Sequence, residues 1–248
     1  VVQYLTCSIK MTAPVSIVIP NTVVYNGTWS GVPTATTPVI INSDYTLTNN
    51  LDVCSCKVAG TATIIVPSGV TLTVQGEVFV TPNAQIIIEN NGSLVQVDDN
   101  AANIGSITVK RNTAPMKQYD FTYWSSPVQN FKLQQLSPNT LSDKYFSYSA
   151  INNGWVTHPF GNQVMEPAKG YIIRSPQGMS QTNATIALYN SVFTGVPNTC
   201  FVPGTIQNGP TGFNLIGNPY PAAIDIDVFL LDPANAVVSN GTVYLWSH

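Results

Sequence analysis

Between Thr63 and Val97 the chain reads TIIVPSGVTLTVQGEVFVTPNAQIIIENNGSLVQV, one short apolar strand after another with a small polar turn between. The strand centres Ile64, Leu72, Phe79, Ile87 and Val95 are seven or eight residues apart, and PSG, QGE, TPN and NNG are the turns. Three such steps return to an equivalent place after 23 residues, from Ile64 to Ile87 and from Leu72 to Val95, and Ile41 lies the same distance before Ile64. Recurrence at a fixed period of this size is the mark of a stacked solenoid, in which each strand hydrogen-bonds to its equivalent one coil earlier. The spacing predicts a parallel β-solenoid with three strands per coil over residues 21–113. An antiparallel meander uses the same turns and is the competing reading. The segment DDNAANIG, Asp98 to Gly105, breaks the cadence and is expected to be an excursion or a cap.

Charge narrows the function. Only 8% of the residues are Asp, Glu, Lys or Arg, against about 25% in an ordinary soluble domain, so hydroxyls and amides must solvate this surface. A net charge of -3 with scattered Lys and Arg offers no field for phosphates, and nucleic acid is not expected as a partner. Apolar runs such as Val228 to Leu231 are far shorter than the roughly 20 residues of a membrane span, and no membrane insertion is expected.

After Met116 the composition shifts to Trp, Tyr, Phe and Pro, in stretches such as DFTYW, DKYFSYS, GWVTHP and GYIIRSP. Residues 114–248 are therefore expected to form an antiparallel β-sandwich of jelly-roll type, truncated at its C-terminal end and covering the open end of the solenoid. Residues 1–20 read as a linker or the tail of a preceding module. The one helical pattern is Ala222 to Ala234, with Pro233 expected to end it.

Few residues invite chemistry. Between residues 20 and 109 the only basic side chain is Lys57, and the acids Asp44, Asp52, Glu77, Glu89, Asp98 and Asp99 make no pair at a repeated coil position. A polysaccharide lyase or glycosidase needs such groups facing one another, so no catalytic residues and no enzyme activity are expected. Asp225 and Asp227 share a face if extended and would suit calcium; otherwise they begin the short helix, where negative charge suits the dipole. No cofactor is expected. Trp124, Trp155, Trp246 and Tyr171 are candidates for stacking on sugar rings, and Tyr123 is another, unless the sandwich core absorbs them. His158 stands in an aromatic loop without a recognisable nucleophile motif. Cys7, Cys54, Cys56 and Cys200 are disulfide candidates; Cys54 and Cys56 are too far apart in one strand to bridge each other readily, leaving buried thiols with one long-range pair through Cys7 or Cys200.

The ordered set GTWSGVP (Gly27 to Pro33), CSC (Cys54 to Cys56), VKRNTAPMKQYDFTYWSSPV (Val109 to Val128), KGYIIRSPQ (Lys169 to Gln177), NLIGNPYPAAID (Asn214 to Asp225) and GTVYLWSH (Gly241 to His248) resembles the repeat-bearing, secreted surface proteins of Flavobacterium-like Bacteroidetes. These are exported through the type IX secretion system by a C-terminal sorting domain. The resemblance implies an extracellular or cell-surface location and a non-catalytic structural or adhesive module, serving adhesion, gliding motility or display. It implies the secretion translocon as a partner during export, with surface glycans or other surface proteins as further partners. The alternative is a carbohydrate-binding accessory module of a secreted polysaccharide-degrading enzyme.

Overall fold

A computed structural model describes residues 21–182, 188–239 and 241–245. The chain is mostly sheet, with a parallel β-solenoid of about three turns followed by an antiparallel sheet. It divides into two compact units. The first runs to Arg111 and also takes Val192–Phe201 and Tyr220–Ala222; the second holds the remainder from Asn112 on. The expected linker at residues 1–20 lies outside the described residues.

In the solenoid, β1 (Val23–Tyr25) leads in. One coil follows from β2 (Pro38–Ile41), β3 (Tyr45–Thr46) and β4 (Leu51–Val53), and a second from β5 (Ser55–Val58), β6 (Thr63–Val66) and β7 (Thr71–Val74). β8 (Val78–Val80), β9 (Gln85–Ile88) and β10 (Ser93–Gln96) make the third, and β11 (Ile107–Asn112) lies beyond it. Their parallel pairing builds three walls, β1-β2-β5-β8, β4-β7-β10, and β3-β6-β9-β11.

The register corrects the expected period. Ile64 lies beside Ile86, Leu72 beside Leu94 and Cys56 beside Val78, so the full coil is 22 residues, not 23. Ile41 pairs with Val58 in a different wall and does not stack on Ile64. The reason is the two-residue alternation of a strand, because a slip by one turns every side chain to the other face. With the observed register Ile64, Val66, Ile86, Ile88, Ile107 and Val109 all point inward and are at most 1% exposed. Each such side chain contributes about 1.5–3 kcal/mol by leaving water. Polar side chains tie coil to coil at the corners. Asp44 Oδ1 accepts from Thr63 N at 2.8 Å, and Asn50 Oδ1 from Thr71 N at 3.0 Å.

The second unit carries one antiparallel sheet among its described residues. β12 (Phe121–Trp124), β13 (Tyr145–Ser149), β14 (Gly154–Thr157) and β15 (Tyr171–Arg174) are arranged in the order β12-β15-β13-β14. The second layer that a jelly roll requires is not among the described residues. Short α1 (Leu133–Leu136) sits in the β12–β13 connection with Leu133 and Leu136 buried. Further on, β16 (Asn190–Gly195) leaves this sheet and joins the solenoid wall beside β11. The helical pattern resolves into two helices, α2 (Ile226–Leu231) and α3 (Pro233–Ser239). The first ends just before Pro233, as expected, and Pro233 also opens the second; the first helical position has no use for the N–H that proline lacks.

The far end of the solenoid is closed by its own unit. Ile104 N donates to Val78 O at 3.0 Å and accepts at its carbonyl from Val80 N at 2.8 Å, while Asn103 Oδ1 takes Val78 N at 3.0 Å. The excursion at Asp98 to Gly105 is therefore the cap of β8. Pro221 O accepts from Leu94 N at 2.9 Å at the edge of β10, and β16 extends the remaining wall. Arg111 pins the last turn, donating to the carbonyls of Glu89, Gly92 and Lys110 at 3.2, 3.1 and 2.7 Å. Burial lowers its pKa below the usual guanidinium value. These edges would otherwise present unpaired backbone groups to any passing strand.

Candidate functional site

Four of the solenoid acids are engaged structurally. Asp44 holds Thr63 N, Asp52 accepts from Gln75 Nε2 at 2.8 Å, Glu89 pairs with Lys110 at 2.8 Å, and Asp98 accepts from Asn100 N at 2.9 Å. These contacts join neighbouring coils or turns and bring no two carboxylates together.

The antiparallel sheet is more eventful, and its two faces differ. Register places Trp124 opposite Tyr171, and Tyr171 opposite Ser147, on one face, where Tyr171 is fully buried and Trp124 half-buried. The other face carries Phe121 and Tyr123 from β12, Phe146 and Tyr148 from β13, Trp155 and Thr157 from β14, and Ile172 and Arg174 from β15. Its rings form two groups. Phe121 and Phe146 are 6.1 Å apart by centroid, Tyr123 and Trp155 6.4 Å, and Tyr148 and Trp155 5.5 Å with the planes steeply inclined. Trp155 is 49% exposed, whereas burial raises the Tyr123 phenol above its usual pKa. At the β13–β14 turn the exposed Asn153 accepts at Oδ1 from both Tyr148 Oη and Thr211 Oγ1. At the opposite end the Arg174 guanidinium lies 5.4 Å over the Tyr119 ring.

On the buried face Ser147 Oγ and His158 Nε2 share a hydrogen bond of 2.8 Å, the contact that a nucleophile and its base would make. Ser147 is only 3% exposed, which leaves a substrate carbonyl no approach to Oγ. The contact crosses the β13–β14 hairpin and braces it. Burial first, then the Lys169 charge, depresses the imidazole pKa, with Glu166 opposing. The folded state therefore refuses a proton that the unfolded chain accepts below its ordinary value of 6.5. Stability contributed here is complete above that value and is lost as pH falls from it toward the lower folded pKa. Urea unfolding of wild type at pH 7.5 and 5.0 is expected to show a lower midpoint in acid, and His158→Gln is expected to shrink that difference; an unchanged difference would place the acid sensitivity elsewhere.

Over residues 23–248 the sequence matches the family described as Domain of unknown function (DUF8693). The chain belongs to this family. No curated protein and no solved structure matches it.

In this DUF8693 chain the aromatic candidates separate. Tyr171 was expected to be available for sugar stacking and is not, because its ring fills the core and its hydroxyl accepts from Glu166 N at 2.9 Å; burial pushes that phenol up to about 12. Trp124 shares the face of Tyr171, so strand alternation sets it apart from Trp155. Trp246 and Cys7 lie outside the described residues. Tyr148 and Phe146 join Trp155, and the alternation in KYFSYS was the signal that could have found them.

The cysteines divide as well. Cys54 is disulfide-bonded. Cys56 and Cys200 are free thiols, contrary to their candidacy, and Cys56 points into the solenoid core with burial raising its pKa to about 12. Asp225 is the N-cap of α2, its Oδ1 accepting from Asp227 N at 3.0 Å and Val228 N at 3.1 Å. That geometry supports the helix-start reading over the calcium reading, since the cap turns the Asp225 oxygen to the backbone and Asp227 lies in the first helical turn. Among the described residues no three His, Cys, Asp or Glu side chains are grouped to hold a metal, and no helix is long and apolar enough to cross a membrane.

Proposed function

We propose that this chain is a non-catalytic, extracellular structural and adhesive module of a large surface protein exported by type IX secretion. The observation that carries the reading is the solenoid itself, whose inward side chains form an unbroken apolar column and four of whose acids engage neighbouring backbone and side chains. Such a column supplies rigidity and reach and needs no cofactor. The Cys54 disulfide supports an oxidising location outside the cytoplasm. We read the antiparallel sheet as one layer of a jelly-roll sandwich, and the translocon as the partner met during export.

The test is made on the native protein in its host. Protease added to intact cells is expected to digest the protein, and deletion of the translocon is expected to remove it from the surface. Full protection in a cytoplasmic fraction would overturn the proposal.

A further inference from the structure

We infer that the outer face of the antiparallel sheet binds a neutral polysaccharide chain, with Trp155 as its central stacking residue. The inference deepens the adhesive reading above and rests on it only for where the ligand would be met.

Tyr123 and Tyr148, from two other strands, lie within 6.4 Å of the Trp155 ring on one face, and Phe121 and Phe146 form a separate pair on the same face. Trp155 stands on β14, the last strand of the sheet, and keeps about half its surface in water. An indole held from below by a Tyr148 edge contact and a Tyr123 ring is a fixed, flat, apolar shelf. Fixing it beforehand means that little side-chain entropy remains to be lost when a ligand lands.

Polar groups border this shelf. Asn153, fixed at Oδ1 by two hydroxyl donors, is exposed, and so is Thr157 on the same strand as Trp155. A flat apolar surface flanked by neutral donors and acceptors is complementary to a sugar ring, which has an apolar C–H face and a rim of hydroxyls. Charge selects among saccharides. Of the strand positions on this face only Arg174 is charged, and its guanidinium is drawn over Tyr119 away from Trp155. An uncharged shelf matches an uncharged polymer, whereas an anionic one would want a cation beside the stacking ring. Area argues against a protein occupant. Phe121, Tyr123, Phe146 and Tyr148 are each half-buried already, so little beyond Trp155 is left to remove from water, while a stable protein interface buries about 800 Å² per partner.

The experiment uses the full chain in affinity gels containing hydroxyethylcellulose, xylan, galactomannan or alginate, and in pull-downs with cellulose and chitin. Wild type is expected to be retarded or retained by at least one neutral polymer. Trp155→Ala is expected to weaken that binding by about tenfold or more, and Trp155→Phe to keep part of it. Trp155 is on the surface, so the variants should melt as wild type does; a variant that does not is replaced by Tyr148→Phe, which frees Asn153 and should also weaken binding. Retention by no polymer, unaltered retention of Trp155→Ala, or binding to alginate alone would overturn the inference. None of these outcomes touches export or the solenoid, so the scaffold reading would survive them.

Discussion

Ile86→Ala is expected to lower the unfolding free energy by about 3 kcal/mol, while Ile87→Ala, one residue on, lowers it by less than about 1 kcal/mol. The two substitutions are chemically identical. Their difference comes from the pairing of Ile64 with Ile86 and Ile65 with Ile87, which turns Ile86 into the coil interior at 0% exposure and leaves Ile87 half-buried on the outer wall. Removing three carbons from Ile86 leaves a cavity bounded by the equivalent residues of neighbouring coils, and a stacked core cannot collapse around it without breaking its ladders. Urea titration followed by far-UV circular dichroism measures both. Equal costs, or a larger cost at Ile87, would refute the 22-residue coil and restore the one-residue-longer period.

Gly105→Ala should be comparably damaging, by about 3 kcal/mol, for two additive reasons. Its φ of +86° lies where an L side chain is strained, and a Cβ built there would meet Val80 O at 2.1 Å. That oxygen belongs to backbone, so it can give way only by moving β8 off the Asn103–Ile104 cap. Gly69→Ala is the control. Its φ is +76° but nothing lies within 4 Å of the added carbon, so only the backbone strain of about 1–2 kcal/mol should appear. Similar losses at both positions would show that the close approach of the cap to β8 contributes nothing.

The solenoid was legible because alternation, small turns and a fixed recurrence all point to one answer. The exact coil was less so. Three isoleucines in succession, Ile86 to Ile88, hide which parity faces inward, and choosing Ile87 as the strand centre adds one residue to the period. The same ambiguity divided the aromatic candidates. Trp124, Trp155 and Tyr171 look equivalent in composition, yet cross-strand register sends the first and last to the buried face and Trp155 to the outer one. Tyr148 gains its place only as the partner directly opposite Trp155, which its own strand does not reveal. The departure of β16 from the second unit to the solenoid wall had no local signal at all, since a strand's sequence does not say which sheet it completes.

By itself, then, the sequence determined the kind of structure: short alternating strands in stacked coils, an aromatic sheet after them, and a low density of charge. Tertiary pairing decided which residues face one another, and with that the coil length, the closure of the solenoid end and the placing of Trp155 on the outer face of its sheet. The division is physical. Alternation and turn chemistry act between residues close in the chain, whereas register is set by packing between strands tens of residues apart, and one step of slip exchanges inside for outside.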